Sequence, residues 1–428
     1  MFELVKLIVG LITFFYVVKS MKTSGNKYIA FIVFSLWLRF FLSAFHSVTF
    51  PPLIAGFSIN ALGSIGITAI GVMIIPTAFF GLKKLIPIYV FLATVIISAL
   101  YNAEYVGLIK VLVKWAYFLT IAIAFFLALK LNGVVDTSKR ALVPFIMPVA
   151  LQLLSVLLGE VKASEADNSA SYIGGYNHEA AFSMMLVTFV MLVAILPKKT
   201  IAWQTSLFFT GIVFIFLANY RTAVIAVLPV IIIFLLSAMQ QKLERRFQLP
   251  MMVFGGAILV VILSFFFTTQ QERFQDISVF VSNIDELIKA PFYYSELEKD
   301  IFSARVYIWS EYLYAFSTGD FWQQLFGNGP DSWIGIFPKY AHNTYVSYLY
   351  EFGYLGFVCF ISLNIIVLVS AWKMEDKQLS KKVFFSLVGF LIMNLATMPI
   401  WAIEGLIVYA ILLSLIFADL KSGKEHLQ

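Results

Sequence analysis

The 428-residue sequence predicts an all-α polytopic integral membrane protein with about 12–13 transmembrane helices and one large, partly helical loop on the outer side. Three observations carry this expectation. Apolar residues make up 61% of the chain, charged residues only 13%, and the mean hydropathy is +0.90. Apolar runs of about 17–20 residues, long enough to cross a hydrocarbon core as a helix, recur from end to end. The runs carry Leu, Ile, Val and Phe without the polar alternation of a barrel wall, so a helical bundle follows.

The spans fall near 3–18, 28–46, 60–80, 85–100, 106–129, 141–159, 180–197, 201–219, 222–238, 251–268, 353–372, 383–398 and 404–418. The first lacks a small-residue cleavage site and runs into lysines, so it reads as a retained span. A net charge of +6 would suit a nucleic-acid partner, but the cations sit in short loops between spans. Lys19/Lys22/Lys27, Lys83/Lys84, Lys130/Lys139/Arg140, Lys198/Lys199, Lys242/Arg245/Arg246, Lys373/Lys377/Lys381/Lys382 and Lys421/Lys424 mark one face, as a cytoplasmic side requires. With thirteen spans and a cytoplasmic C-terminus the N-terminus is expected outside, and one span more or fewer reverses that end without moving the others. The one cysteine, Cys359, lies within an apolar run and offers neither a disulfide nor a Cys-based metal site.

Stretches 47–59, 160–179 and 269–342 fall on the opposite, outer face. The last carries ten acidic and five basic residues. Within it, 295–319 has helical apolar spacing at Ile301, Val306, Trp309, Leu313 and Phe316, opened by a Ser295-x-x-Glu298 capping pattern. Gly327–Trp333 then reads as a turn. The chain is expected to be one membrane domain over 1–428, with 269–342 as its external cap.

The chemical candidates are polar groups that topology does not explain. Arg221 stands at the outer junction of two spans and Arg305 in the loop helix. A guanidinium fork suits a diphosphate, although Arg221 also fits a residue that snorkels to the interface and Arg305 a solvated loop charge. Lys110 and Lys114 are four apart and share a helix face, either as a second phosphate-binding element or as two snorkelling lysines. Arg39 either faces a ligand or pairs with a buried carboxylate such as Glu404. His342, followed by Asn343, can serve as a base or as a structural hydrogen bonder. His178, beside Glu179, is its rival, with Asn177 placed to cap the span that begins near Ala180.

In this order the residues resemble the O-antigen ligase and polymerase superfamily of bacterial surface-polysaccharide enzymes. The likeness runs from about 172 to 360. It rests on Gly174-Gly175-Tyr176-Asn177-His178-Glu179-Ala180 before a span and on Arg221 opening a later one, with Ile225 where the ligases favour Leu. It continues with Arg305-x-x-x-Trp309, Gly327-Asn328-Gly329, and His342-Asn343 followed by Gly353. The resemblance implies a metal-independent, cofactor-free, inverting glycosyltransferase working on the periplasmic face of the bacterial inner membrane. Its donor would be an undecaprenyl-diphosphate-linked glycan. Arg221 and Arg305 would hold the diphosphate, His342 would activate the acceptor hydroxyl, and Asn343 would orient it; Lys110 and Lys114 are added on membrane cost. The favoured reading is a polymerase, whose acceptor is a second lipid-linked glycan. Alternatives are a ligase that transfers to lipid A-core, a protein glycosyltransferase, or, in another class, a lipid-linked oligosaccharide flippase. A chain-length regulator or a flippase would be the protein partner, and membrane lipids the surroundings.

Overall fold

The computed structural model describes residues 2–54, 56–163, 169–197, 200–242, short stretches within 244–264, 289–299 and 304–420. Most of the expected span at 251–268 and the first part of the external loop, 269–288, lie outside the described residues.

Sixteen helices are named here in chain order: α1 Phe2–Ser24, α2 Lys27–Ala44, α3 His46–Thr49, α4 Ile59–Ile74, α5 Ile86–Tyr101, α6 Tyr105–Ala141, α7 Ile146–Leu158 and α8 Glu179–Ile195 come first. Then follow α9 Gln204–Leu217, α10 Arg221–Lys242, α11 Glu296–Lys299, α12 Arg305–Ser317, α13 Phe321–Phe326, α14 Thr344–Trp372, α15 Lys377–Ala396 and α16 Ile403–Asp419. Two short antiparallel strand pairs, 52–58 and 162–171, are the described sheet. Each of the other expected spans coincides with a helix. By length and composition, seven described segments are long and apolar enough to cross a membrane, and α4, α8 and α9 are shorter apolar helices.

The ends follow from local chemistry. Asn26 caps α2 through Oδ1, which accepts the Tyr28 N–H at 2.8 Å, and Asp376 caps α15 by accepting from Gln378 and Leu379. The helix expected over 295–319 is divided instead. Ser295 and Glu298 form their capping box, with the Ser295 N–H donating to Glu298 at 2.8 Å, but it serves the single turn α11. Arg305 therefore opens its own helix, after a left-handed Ala304.

The chain forms two compact units. One comprises 1–92, 108–230 and 360–428; the other comprises 93–107 and 231–359. In the first, α8 and α16 are buried around almost their whole circumference, as an interior membrane helix must be. Tyr409 of α16 stacks on Phe118 at 5.6 Å and on Phe390 at 5.3 Å.

Cations near helix ends in this unit donate to backbone carbonyls of neighbouring helices. Arg140 donates to the Ser20 carbonyl, Lys84 to the Phe417 carbonyl, and Lys382 to the Ile195 and Leu196 carbonyls. At the opposite end Arg39 resolves in favour of pairing. Its Nε donates to Glu404 at 2.8 Å and its second amino group lies 2.7 Å from the same oxygen; the remaining arm reaches Asn60 at 2.7 Å. Both partners are buried, so the charges are compensated inside the bundle.

Candidate functional site

In the second unit, the helix that begins with Arg305 is docked on the segment that ends in His342. Trp309 donates its indole N–H to the Ala341 carbonyl at 2.8 Å, and Tyr312, fully buried, donates its hydroxyl to the Lys339 carbonyl at 3.1 Å. Tyr312 also stacks on Phe337 at 4.1 Å and meets Tyr350 edge-on at 5.2 Å. Ile308, Phe316 and Ala341 complete this core. Arg305 and Trp309 are four apart on α12 and share a face. The Arg-x-x-x-Trp pattern thus puts its guanidinium one turn from the tryptophan that grips the residue before the histidine.

His342 is held from both sides along the chain. Its φ of 50° is left-handed, a region that histidine visits more readily than most residues. Its ring lies 3.9 Å from that of Tyr340. Asn343 is buried, and its Oδ1 accepts the N–H groups of Tyr345 at 2.9 Å and Val346 at 3.2 Å. That is an N-cap, so the side-chain oxygen expected to orient an acceptor is engaged in starting α14.

The Gly-x-Gly turn and Gly353 form one joint. α14 breaks at Gly353, with φ 64° and ψ −170°. At the break the Tyr350 carbonyl accepts from Asn328 N–H at 3.0 Å, and the Glu351 carbonyl accepts from Gly329 N–H at 2.9 Å and Ser98 Oγ at 2.7 Å. A Cβ at Gly353 would stand 2.5 Å from the Leu325 backbone, and one at Gly327 would stand 2.3 Å from the Glu351 carbonyl oxygen. Only glycine allows that approach. Below it Glu351 is buried, accepting from Ser347 Oγ at 2.8 Å and from Asp331 N–H at 3.3 Å.

α11 and α12 carry titrating groups. Burial pushes the Glu311 carboxyl up, against a hydrogen bond from Tyr307 and the Lys299 charge that pull it down. Burial, followed by the Glu311 charge, raises the Tyr307 hydroxyl. Glu298 is drawn down to about 2, first by its 2.6 Å hydrogen bond from Lys289 and then by Ser295.

The first unit holds the other candidates. Arg221 is half-buried and is the first residue of α10. The loop before it is tied to the strand and residues that precede Gly174: Leu217 O accepts from Tyr172 N–H at 2.9 Å, and Asn219 donates to Ser169 at 2.7 Å. Lys6, one of the polar residues that sequence reasoning passed over, is buried and donates to Ala44 O at 2.8 Å and to Gly175 O at 3.4 Å. The cap of α8 is His178 rather than Asn177. Its Nδ1 accepts the Ala180 N–H at 3.1 Å, because the residue directly before Glu179 has the extended backbone a cap needs. Asn177 is exposed, and its carbonyl accepts from Lys162. Lys110 is exposed, whereas Lys114 lies 4.2 Å over the Trp401 ring, a cation–π contact.

Arg221 and Arg305 share one property. Each begins its helix, where a cation has the wrong sign for the helix dipole and an anion has the right one. Backbone N–H groups and a guanidinium at such a terminus suit a phosphate group.

Residues 206–361 match the family model described as O-antigen ligase. The matched stretch includes Arg221, Arg305, Trp309, the Gly327–Gly329 turn, His342, Asn343 and Gly353, and leaves out Lys110, Lys114, Asn177 and His178. No curated protein matches the chain. The family match carries glycan transfer of the O-antigen ligase and polymerase type, and the apolar helices make the protein a multi-pass membrane protein.

Proposed function

We propose that this protein, which resembles the O-antigen ligase and polymerase superfamily over residues 206–361, is a polymerase that extends an undecaprenyl-diphosphate-linked glycan on the periplasmic face of the inner membrane. The observation that supports the reading best is the bond from Trp309 to Ala341, which joins the Arg305 helix to the residue before His342.

In the reaction, the acceptor sugar hydroxyl attacks the anomeric carbon of the donor glycan. A new C–O bond forms as the bond from that carbon to the diphosphate breaks, with inversion. The hydroxyl proton passes to the His342 imidazole, and the electron pair leaves with undecaprenyl diphosphate. Arg221 and Arg305 bind that diphosphate and stabilise it as it leaves. Lys110 and Lys114 act more weakly on the same anion, as point charges. The protein's own groups supply base and anion stabilisation, and no cofactor is invoked.

A ligase that transfers the glycan to lipid A-core is the second reading, favoured by the description of the matched family. Purified protein given only undecaprenyl-diphosphate-linked repeat units separates the two. A polymerase builds a ladder of lengthened lipid-linked products. A ligase leaves the units unchanged until lipid A-core is added, and that result would replace the first reading.

A further inference from the structure

We propose that the first unit carries a site for an anionic glycerophospholipid, with the phosphate on Lys83 and Lys84 and part of an acyl chain in the slot behind them. The observation is a cavity of about 230 Å³ between the start of α5 and the last turns of α14 and α16. Lys83, Lys84 and Ser370 are its polar members, and the remaining lining, including Ile88, Ile366 and Ile416, is apolar. An apolar slot that ends in two adjacent ammonium groups has the polarity of a phospholipid: hydrocarbon at one end, monoanionic phosphate at the other.

The position agrees with the occupant. Lys83 and Lys84 immediately precede α5, and Ser370 and Phe417 stand within three residues of the ends of their helices. The mouth is therefore at the basic end of the unit, the end that the cation asymmetry assigns to the cytoplasmic leaflet, where anionic lipids gather. The polyprenyl diphosphate donor is expected at the other side. Lys84 donates to the Phe417 carbonyl at 3.1 Å, which caps α16 and fixes the ammonium at the mouth without removing its charge. Lys83 is exposed, and Ile366 is 46% exposed, so the slot opens outward from the helices. The nearest acidic group in sequence, Asp419, is not part of the lining and accepts the Asp376 N–H at 3.0 Å.

The test is native mass spectrometry of the full chain in mild detergent, titrated separately with phosphatidylglycerol, phosphatidylethanolamine, undecaprenyl diphosphate and inorganic phosphate. One phosphatidylglycerol per chain should be retained about tenfold more tightly than phosphatidylethanolamine. Lys83→Gln should weaken it about fivefold, the effect of one basic residue on an anionic lipid, and the Lys83→Gln/Lys84→Gln double variant more. Ile366→Trp, which obstructs the slot and leaves both charges, should weaken it as well. Lys83→Gln and Ile366→Trp touch no side-chain hydrogen bond among the described residues, so they test the site even if loss of Lys84 lowers stability. Equal retention of the zwitterionic lipid, stronger retention of undecaprenyl diphosphate, displacement by millimolar inorganic phosphate, or no effect of Lys83→Gln would each overturn the proposal.

Discussion

Trp309 donates its indole N–H to the carbonyl of Ala341 across 2.8 Å, so the helix opened by Arg305 holds the residue next to His342. Trp309→Phe keeps the apolar bulk and removes that bond. The expected cost is about 1 kcal/mol of stability. Transfer should fall at least about tenfold, since misplacing a catalytic group costs more in rate than in folding. Steady-state kinetics beside a thermal unfolding curve would check it; equal losses in both would make Trp309 only a packing residue.

The joint between Gly353 and the Gly327–Gly329 turn leaves no room for a side chain. Gly353→Ala puts a methyl group 2.5 Å from backbone that belongs to a second element, in a backbone conformation alanine adopts poorly. A loss above about 4 kcal/mol is expected, and little folded protein in the membrane. Gly66→Ala, with nothing within 4 Å of the added carbon, should be tolerated. Similar yields of folded protein from both variants would contradict this account of the joint.

Arg39 and Glu404 form a buried pair, and removing one partner leaves the other charge uncompensated. Arg39→Met or Glu404→Gln alone should cost about 3–5 kcal/mol, whereas the double variant should recover a substantial part of that loss. A double-mutant cycle on unfolding free energies measures the coupling. Strict additivity would show that the pair does not act as a pair.

Glu311 gives a pH dependence with a definite sign. Its folded pKa is raised by burial, so between the ordinary value and the raised one the folded state keeps a proton that the unfolded state has lost. Its contribution is therefore greatest below its ordinary value near 4.5 and declines as pH rises through that window. Glu311→Gln should flatten this part of the stability profile, read from unfolding temperature against pH. An unchanged slope would remove Glu311 as its source.

The helical spans were legible because apolar length in a membrane protein leaves little choice of structure. The pairing of Arg39 with Glu404 was left open, since sequence separation hides which charges meet inside a bundle. The motif elements were legible one by one, but their union was not: nothing in the spacing of Gly327, Gly329 and Gly353 says that one turn docks into the break of another helix. The division of 295–319 was missed because apolar spacing continues through it, while the left-handed Ala304 interrupts the helix. Asn177 and His178 were both plausible caps. The choice fell to the residue with extended backbone directly before Glu179. Trp309 was visible in the sequence only as half of a pattern, because its partner is a backbone carbonyl 32 residues away.

The central claim is that His342 takes the proton of the acceptor hydroxyl while arginines hold the donor. Purified protein with defined lipid-linked donor and acceptor tests it through donor affinity and single-turnover rate measured on the same variants. His342→Ala should bind donor about as tightly as the parent and transfer at least about a hundredfold more slowly, the lower range of a general base's contribution. Activity of the parent should fall on acidification, as a protonated base cannot accept a proton. Arg305→Lys and Arg221→Lys should lose donor affinity, since an ammonium lacks the bidentate fork, and His178→Ala should be mild. Normal turnover by His342→Ala with an inactive His178→Ala would contradict the account and move the chemistry to the segment that caps α8.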